Sequence, residues 1–250
     1  AWPKVQLLDL GASAGLNLFG EKRAYRVVEK ANPNEVLLDL GQAPPTQFIV
    51  PISGELGLPG RQTDPPTIAA RTGIDLAPFY LHDEQDELTL ASFIWGDQPV
   101  RLQRLREGIR ALREAEEQGD VVRLFPVRLP DELETFLSTT WTPLPDLPIV
   151  IYNTTVTMYL EGGKQGVHDV LAPWAQNQPV PVLWLQWEPA NAEEGESPDT
   201  YWLAWTADLW RDGRHHHFHL AWVHPHAAGL QWLPDATEWT KLAGKCTDLH

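Results

Sequence analysis

Val5-Gln6-Leu7-Leu8-Asp9-Leu10-Gly11-Ala12-Ser13-Ala14-Gly15-Leu16-Asn17 is the stretch on which the reading of this chain turns. An apolar run ends in an acid, small residues occupy 11 to 15, and a helix-compatible segment starts at Leu16. That order spells buried strand, tight turn and helix start. Gly11 can take backbone angles closed to other residues, and Gly15 lets the helix lie close to the strand, so a ligand can reach main-chain atoms without meeting a Cβ. Such turns suit nucleotide-type ligands, although a Gly/Ala/Ser turn that binds nothing has the same composition.

Two ligand chemistries fit. Gly11-Ala12-Ser13-Ala14-Gly15 is similar to the glycine-rich turn of short-chain dehydrogenases, which seat the pyrophosphate of a nicotinamide cofactor on a helix N-terminus. It also resembles motif I of the class I S-adenosylmethionine-dependent methyltransferases, with Ser13 at the middle glycine. Asp9 separates the two: a carboxylate suits a cationic sulfonium and repels a pyrophosphate. The dehydrogenase reading also requires Tyr-x-x-x-Lys. Four residues after Tyr25, Tyr80, Tyr152, Tyr159 and Tyr201 stand Glu29, Glu84, Val156, Gly163 and Trp205, so the methyltransferase-like reading leads.

A chain of 250 residues is ample for one core, either one large domain or one domain with an elaboration. The net charge of -15 argues against non-specific nucleic-acid binding, because a polyanion is repelled before local contacts form. Arg101, Arg104, Arg106, Arg110 and Arg113 share one predicted helix but alternate with Glu107 and Glu114, which reads as a solvated face. The lone Cys246 excludes an internal disulfide framework and a cysteine zinc site. With no signal peptide and no apolar run long enough for a membrane span, a cytoplasmic location without membrane contact is expected. Most of the twelve tryptophans follow residue 170, which predicts a Trp-rich C-terminal sheet held by packing.

Residues 16–26 predict a short helix. Residues 27–67 carry short β-like runs broken by Asn32-Pro33-Asn34, Pro44-Pro45 and Gly57-Leu58-Pro59-Gly60, which predicts an inserted β flap. Within it Val36-Leu37-Leu38-Asp39-Leu40-Gly41 nearly copies the opening strand, but the prolines that follow disfavour a helix there. The core resumes at residue 68 and reaches Gly73-Ile74-Asp75-Leu76, where an acid at the end of the second strand can accept from both hydroxyls of a ribose. Leu102, Leu105, Ile109 and Leu112 recur at spacings of three and four, predicting a helix over 99–117. Strands follow at 121–127, 147–152 and 180–187, with a helix at 161–176. Arg211-Asp212-Gly213-Arg214 joins two β-like runs as a hairpin.

Leu8 to Leu18, then Gly73-Ile74-Asp75-Leu76, Trp95-Gly96-Asp97-Gln98 with Arg101 and Arg104-Leu105, and His224-Pro225-His226 leading to Leu230-Gln231-Trp232 resemble, across nearly the whole chain, a bacterial family of uncharacterised proteins classed as methyltransferase-like. The resemblance implies an α/β, Rossmann-like methyltransferase fold: a mostly parallel seven-stranded sheet with a C-terminal antiparallel hairpin and a β insertion after the first strand-helix unit. It implies a single domain over 1–250, and a helical N-terminal region in relatives that this sequence lacks. It brings no methyl acceptor. Ala77 stands where relatives commonly carry Asn, and Asn153 where they commonly carry His.

The expected cofactor is S-adenosylmethionine, held by Asp9, Gly11, Ala12, Ser13, Gly15, Asn17, Asp75, Leu76 and Asn153. Asn153, Thr154, Tyr159 and Glu188 are candidates to line the acceptor pocket, and no residue stands out as a base. Transfer would rest on positioning. His215, His217 and His219 alternate onto one strand face, where three imidazoles could bind zinc, yet no carboxylate is spaced to complete a set and no metal is expected. The rival from another class is a degenerate interaction protein with the Trp-rich hairpin as its contact surface.

Overall fold

The computed structural model describes residues 2–41, 48–53, 66–199, 201–225 and 229–244. Its strands are β1 (Lys4–Leu10), β2 (Tyr25–Glu29), β3 (Val36–Leu40), β4 (Phe48–Ser53), β5 (Thr67–Asp75), β6 (Val122–Pro126), β7 (Ile149–Thr154), β8 (Val182–Glu188), β9 (Leu203–Arg211), β10 (Arg214–Val223) and β11 (Leu230–Trp232). The helices are α1 (Glu84–Ser92), α2 (Pro99–Glu117), α3 (Leu133–Thr135), α4 (Gly163–Gln176) and α5 (Asp235–Gly244), with a 3-10 helix at Leu16–Lys22 after β1.

All the strands form one sheet in the order β3-β2-β4-β11-β10-β9-β8-β7-β1-β5-β6. From β8 to β6 every neighbouring pair is parallel. The chain builds outward from β1 through β5 to β6, then returns to the other side of β1 for β7 and β8. The reversal puts a topological switch point between β1 and β7.

A strand covered on both faces reads as an almost unbroken apolar run, which is why residues 5–10 could be assigned from sequence. On one face Leu8, Leu10, Ile149, Ile151, Val182 and Trp184 pack under α3 and α4 through Leu133, Val167, Leu171 and Ala175. On the other, Leu7, Leu124 and Tyr152 meet Leu18 and Phe19 of the 3-10 helix and Leu112 and Ala115 of α2. Helix α2 spans the predicted residues, with Pro99 at its start.

Among the described residues the sheet has eleven strands, not the seven expected from the sequence. The inserted segment does not stand apart as a flap. Its β4 pairs parallel with β11, Leu230 opposite Ile52 and Gln231 opposite Ser53, and β11 pairs with β10. Burial drives the union: Ile52, Ala221, Val223 and Leu230 form one apolar cluster with Val27, Val50, Trp205 and Trp232 against it. Pro44-Pro45, Gly57 to Gly60, His226 and Cys246 lie outside the described residues.

The terminal hairpin lies beside β8, with β9 and β10 antiparallel. Asp212 and Gly213 both take positive φ (53° and 71°), the geometry that a two-residue turn between twisted strands demands. The tryptophans pack as rings: Trp187 on Trp205 at 6.4 Å, and Trp205 on Trp232 at 5.5 Å. Helix α5, which the sequence reading does not anticipate, sets Trp239 edge-on to Phe218. Among the described residues no helix is long and apolar enough to cross a membrane.

Candidate functional site at the carboxyl end of the central strand

The turn after β1 is built as its composition requires. Gly11, Ser13 and Gly15 have φ of 83°, 52° and 74°. The turn is also satisfied from within. Gly11 N–H and Ala12 N–H donate to Ile74 O (2.8 and 3.0 Å), and Gly15 N–H donates to Ala12 O (2.8 Å). Asp75 clamps it: Oδ2 accepts from Ser13 N–H at 2.9 Å and Oδ1 from Ala77 N–H at 3.1 Å. The glycines answer to packing. A Cβ on Gly11 would fall 2.7 Å from Val156 Cγ2, and one on Gly73 would fall 2.6 Å from Ala12 Cβ. Ala12 is buried, whereas Leu76 beside Asp75 is 66% exposed.

Asp9 lies opposite Tyr152 in the β1–β7 ladder and is 1% exposed. Burial pushes its carboxyl up to about 8, against the Tyr152 hydroxyl, which lowers it, and with Asp75, which raises it. At neutral pH it therefore offers a proton more than a charge. Among the described residues neither Asp9 Oδ2 nor the Tyr152 hydroxyl has a partner at hydrogen-bond geometry.

Asn153, at the end of β7, is turned inward. Its Nδ2 donates to Glu188 Oε1 at 2.7 Å, and its Oδ1 accepts from Trp184 Nε1 at 2.6 Å. Glu188, fully buried, accepts further from Val156 N–H (2.9 Å), Thr157 N–H (3.1 Å) and the Thr157 hydroxyl (2.8 Å). Both residues shape the loop that presses Val156 onto Gly11. Tyr159 is 79% exposed and lies outside the cavity wall described next.

A cavity of about 500 Å³ opens at the switch point. Leu16 and Asn17 from the 3-10 helix, Tyr152 and Thr154 from the end of β7 with Thr155 after it, and Trp187 from β8 line it. Tyr25 at the start of β2, Phe48 from the insertion, Arg101, Arg104 and Leu105 from α2, and Arg23 line it as well. Of the expected cofactor residues only Asn17 lines it. The three arginines were missed because Arg101 and Arg104 belong to a charge-alternating helix, and nothing local in the sequence marks Arg23 as their neighbour.

The histidine face is held by a carboxylate. Asp208 Oδ1 bonds His215 Nε2 at 2.9 Å and His217 Nδ1 at 2.8 Å, and Gln186 Nε2 donates to Oδ2 at 3.2 Å. Bonding to Asp208 raises His217; in Asp208 burial works upward, but His217 and His215 outweigh it and hold the carboxyl below its ordinary value. Among the described residues no group of three or more His, Cys, Asp or Glu is placed to hold a metal ion.

An open α/β sheet with a cavity at the carboxyl end of its switch point defines the class of protein. The chain belongs to the family described as "Uncharacterized protein conserved in bacteria (DUF2332)", whose model matches residues 3–232. No curated protein matches the chain, and no solved structure does.

Proposed function

We propose that this chain is a methyltransferase-like protein that binds S-adenosylmethionine at the carboxyl end of β1 and holds a methyl acceptor in the adjoining cavity. The observation that carries the reading is the place of that cavity, against the carboxyl ends of β7 and β8 and the 3-10 helix that follows β1, on the edge where a doubly wound sheet receives its ligands. The strand order β6-β5-β1-β7-β8 and the carboxylate of Asp75 beside the Gly11 to Gly15 turn add to it.

The residues fit the nucleoside half of this cofactor. Each Asp75 oxygen accepts one backbone N–H and keeps a lone pair for a ribose hydroxyl, and the exposed Leu76 can lie against a base. Asn17 reaches from the turn into the cavity wall and can orient the other end. When bound, the cofactor supplies an electrophilic methyl group. The chain contributes position: the cavity walls exclude water and align the acceptor. Calorimetric titration with S-adenosylhomocysteine tests the reading. Saturable heat, weakened by about 1–3 kcal/mol in Asp75→Ala, supports it; no heat with the intact chain overturns it.

A second reading, a non-catalytic interaction protein on the same scaffold, is favoured by one observation. The amides of Gly11, Ala12, Ser13 and Gly15 are all consumed inside the chain. Cofactor binding without methyl transfer to any acceptor panel selects it.

A further inference from the structure

The guanidinium groups of Arg23 and Arg104 lie over the same Phe48 ring, with their Cζ atoms 5.7 and 5.2 Å from its centroid. Phe48 leans in turn on Tyr25, with ring centroids 5.4 Å apart. Arg101 stands one turn before Arg104 on α2 and bonds Gln98 Oε1 at 2.6 Å. Gly108 makes room for this group: a Cβ there would come within 3.0 Å of Arg23 Nη2. So α2, the insertion and the segment after the 3-10 helix meet at three cations in the wall of one cavity.

None of the described lining residues is acidic, in a chain whose net charge is -15. Asp9, opposite Tyr152 in the β1–β7 ladder, is outside the wall and burial raises its carboxyl to about 8, while Glu21 is paired with Arg71. Two buried donors in the wall, Arg23 Nε and Trp187 Nε1, have no acceptor among the described residues. Desolvation lowers Arg104, so its charge is held at a cost. Ile94, Leu105, Trp187 and Leu203 make much of the remaining wall apolar or aromatic, and Asn17, Thr154 and Thr155 add uncharged polar groups. Guanidinium groups pair with planar carboxylates and with phosphates through parallel hydrogen bonds, and do so most strongly away from water.

We propose that the switch-point cavity binds a small organic anion, a carboxylate or phosphate monoester carried on an apolar or aromatic body. If the chain transfers methyl groups, this names the chemical class of its acceptor, and that clause rests on the preceding reading. Anion binding itself does not.

The test is calorimetric titration of the whole chain, without cofactor, with benzoate and with phenyl phosphate. Benzyl alcohol and benzylammonium are the controls, and each titration is run at about 0.05 M and about 0.5 M salt. At least one anion is expected to bind, more weakly at high salt, with neither control matching it. Benzoate alone would assign a carboxylate, phenyl phosphate alone a phosphate. R104Q is expected to weaken binding by about tenfold or more. If R104Q fails to fold, R101Q carries the same expectation, because that side chain's bond stays within its own helix end. Binding of neither anion, equal binding of benzyl alcohol, or unchanged affinity in the folded variants overturns the proposal. S-adenosylhomocysteine titrated in parallel separates the two ideas: silence there with anion binding intact removes methyl transfer and leaves the anion site.

Discussion

Replacing Asp9 by Asn probes the charge beside Tyr152, a residue of the cavity wall. The carboxyl is 1% exposed and burial lifts it to about 8. In the unfolded chain an aspartate titrates near 3.9 and has lost its proton by about pH 6. The folded chain keeps that proton until the raised value is passed, so it binds more protons than the unfolded one and stability falls as pH rises between the two. The slope approaches about 1.4 kcal/mol per pH unit, or roughly 2.5 kcal/mol from about pH 5.5 to 7.5. Asn has no such proton. Urea denaturation at several pH values in that window, for both proteins, gives the difference directly. The gap between Asp9→Asn and the parent is expected to move steadily in favour of the variant as pH rises. A gap that stays constant would show that Asp9 is ionised in the fold, and that a buried negative charge stands next to Tyr152 of the cavity wall.

Gly11→Ala should cost about 2–4 kcal/mol, since it adds left-handed strain at φ 83° to a 2.7 Å contact with Val156. In a double-mutant cycle Val156→Ala should return only the share of the contact made by Cγ2, since Val156 Cβ would still stand 2.9 Å away. Glu188→Ala should cost about 3–5 kcal/mol by urea midpoint, because Asn153, Val156 and Thr157 lose their shared acceptor. For Asp208 and His217, the raised histidine contributes stability that is present below its unfolded value and lost as pH rises through the folded one. The lowered carboxyl contributes stability present above its unfolded value and lost as pH falls through the folded one. Asp208→Asn should therefore flatten the stability profile at both ends, with the His217 ring titrating lower by NMR.

What could be read from the chain alone follows from how local each signal is. The central strand is legible because burial on both faces leaves an apolar run, and α2 because Leu102, Leu105, Ile109 and Leu112 keep helical spacing. The Asp212-Gly213 hairpin is legible because few residues tolerate two positive φ values in succession. The eleven-stranded sheet is not, because the partner of β4 is β11, far along the chain, and a short apolar run says nothing about its neighbour. Asn153 has the residue type and strand-end position of a ligand contact, but only its side-chain direction decides, and that direction is toward Glu188. Likewise Arg104 reads as one charge on an alternating helix until the insertion brings Phe48 beneath it.

The glycine turn shows why a motif and a site are different things. Close approach of a ligand and close approach of another segment make the same demands on a residue: no Cβ and a free φ. The destination of the amides separates the two, and here those of Gly11, Ala12, Ser13 and Gly15 point into the protein. A ligand at this sheet end must then be recognised through side chains: the remaining lone pairs of Asp75, Asn17, and the arginines across the switch point. Recognition resting on side chains can change by substitution without disturbing the turn, so on the proposed reading ligand choice falls to Arg23, Arg101 and Arg104 more than to the glycines that first draw the eye.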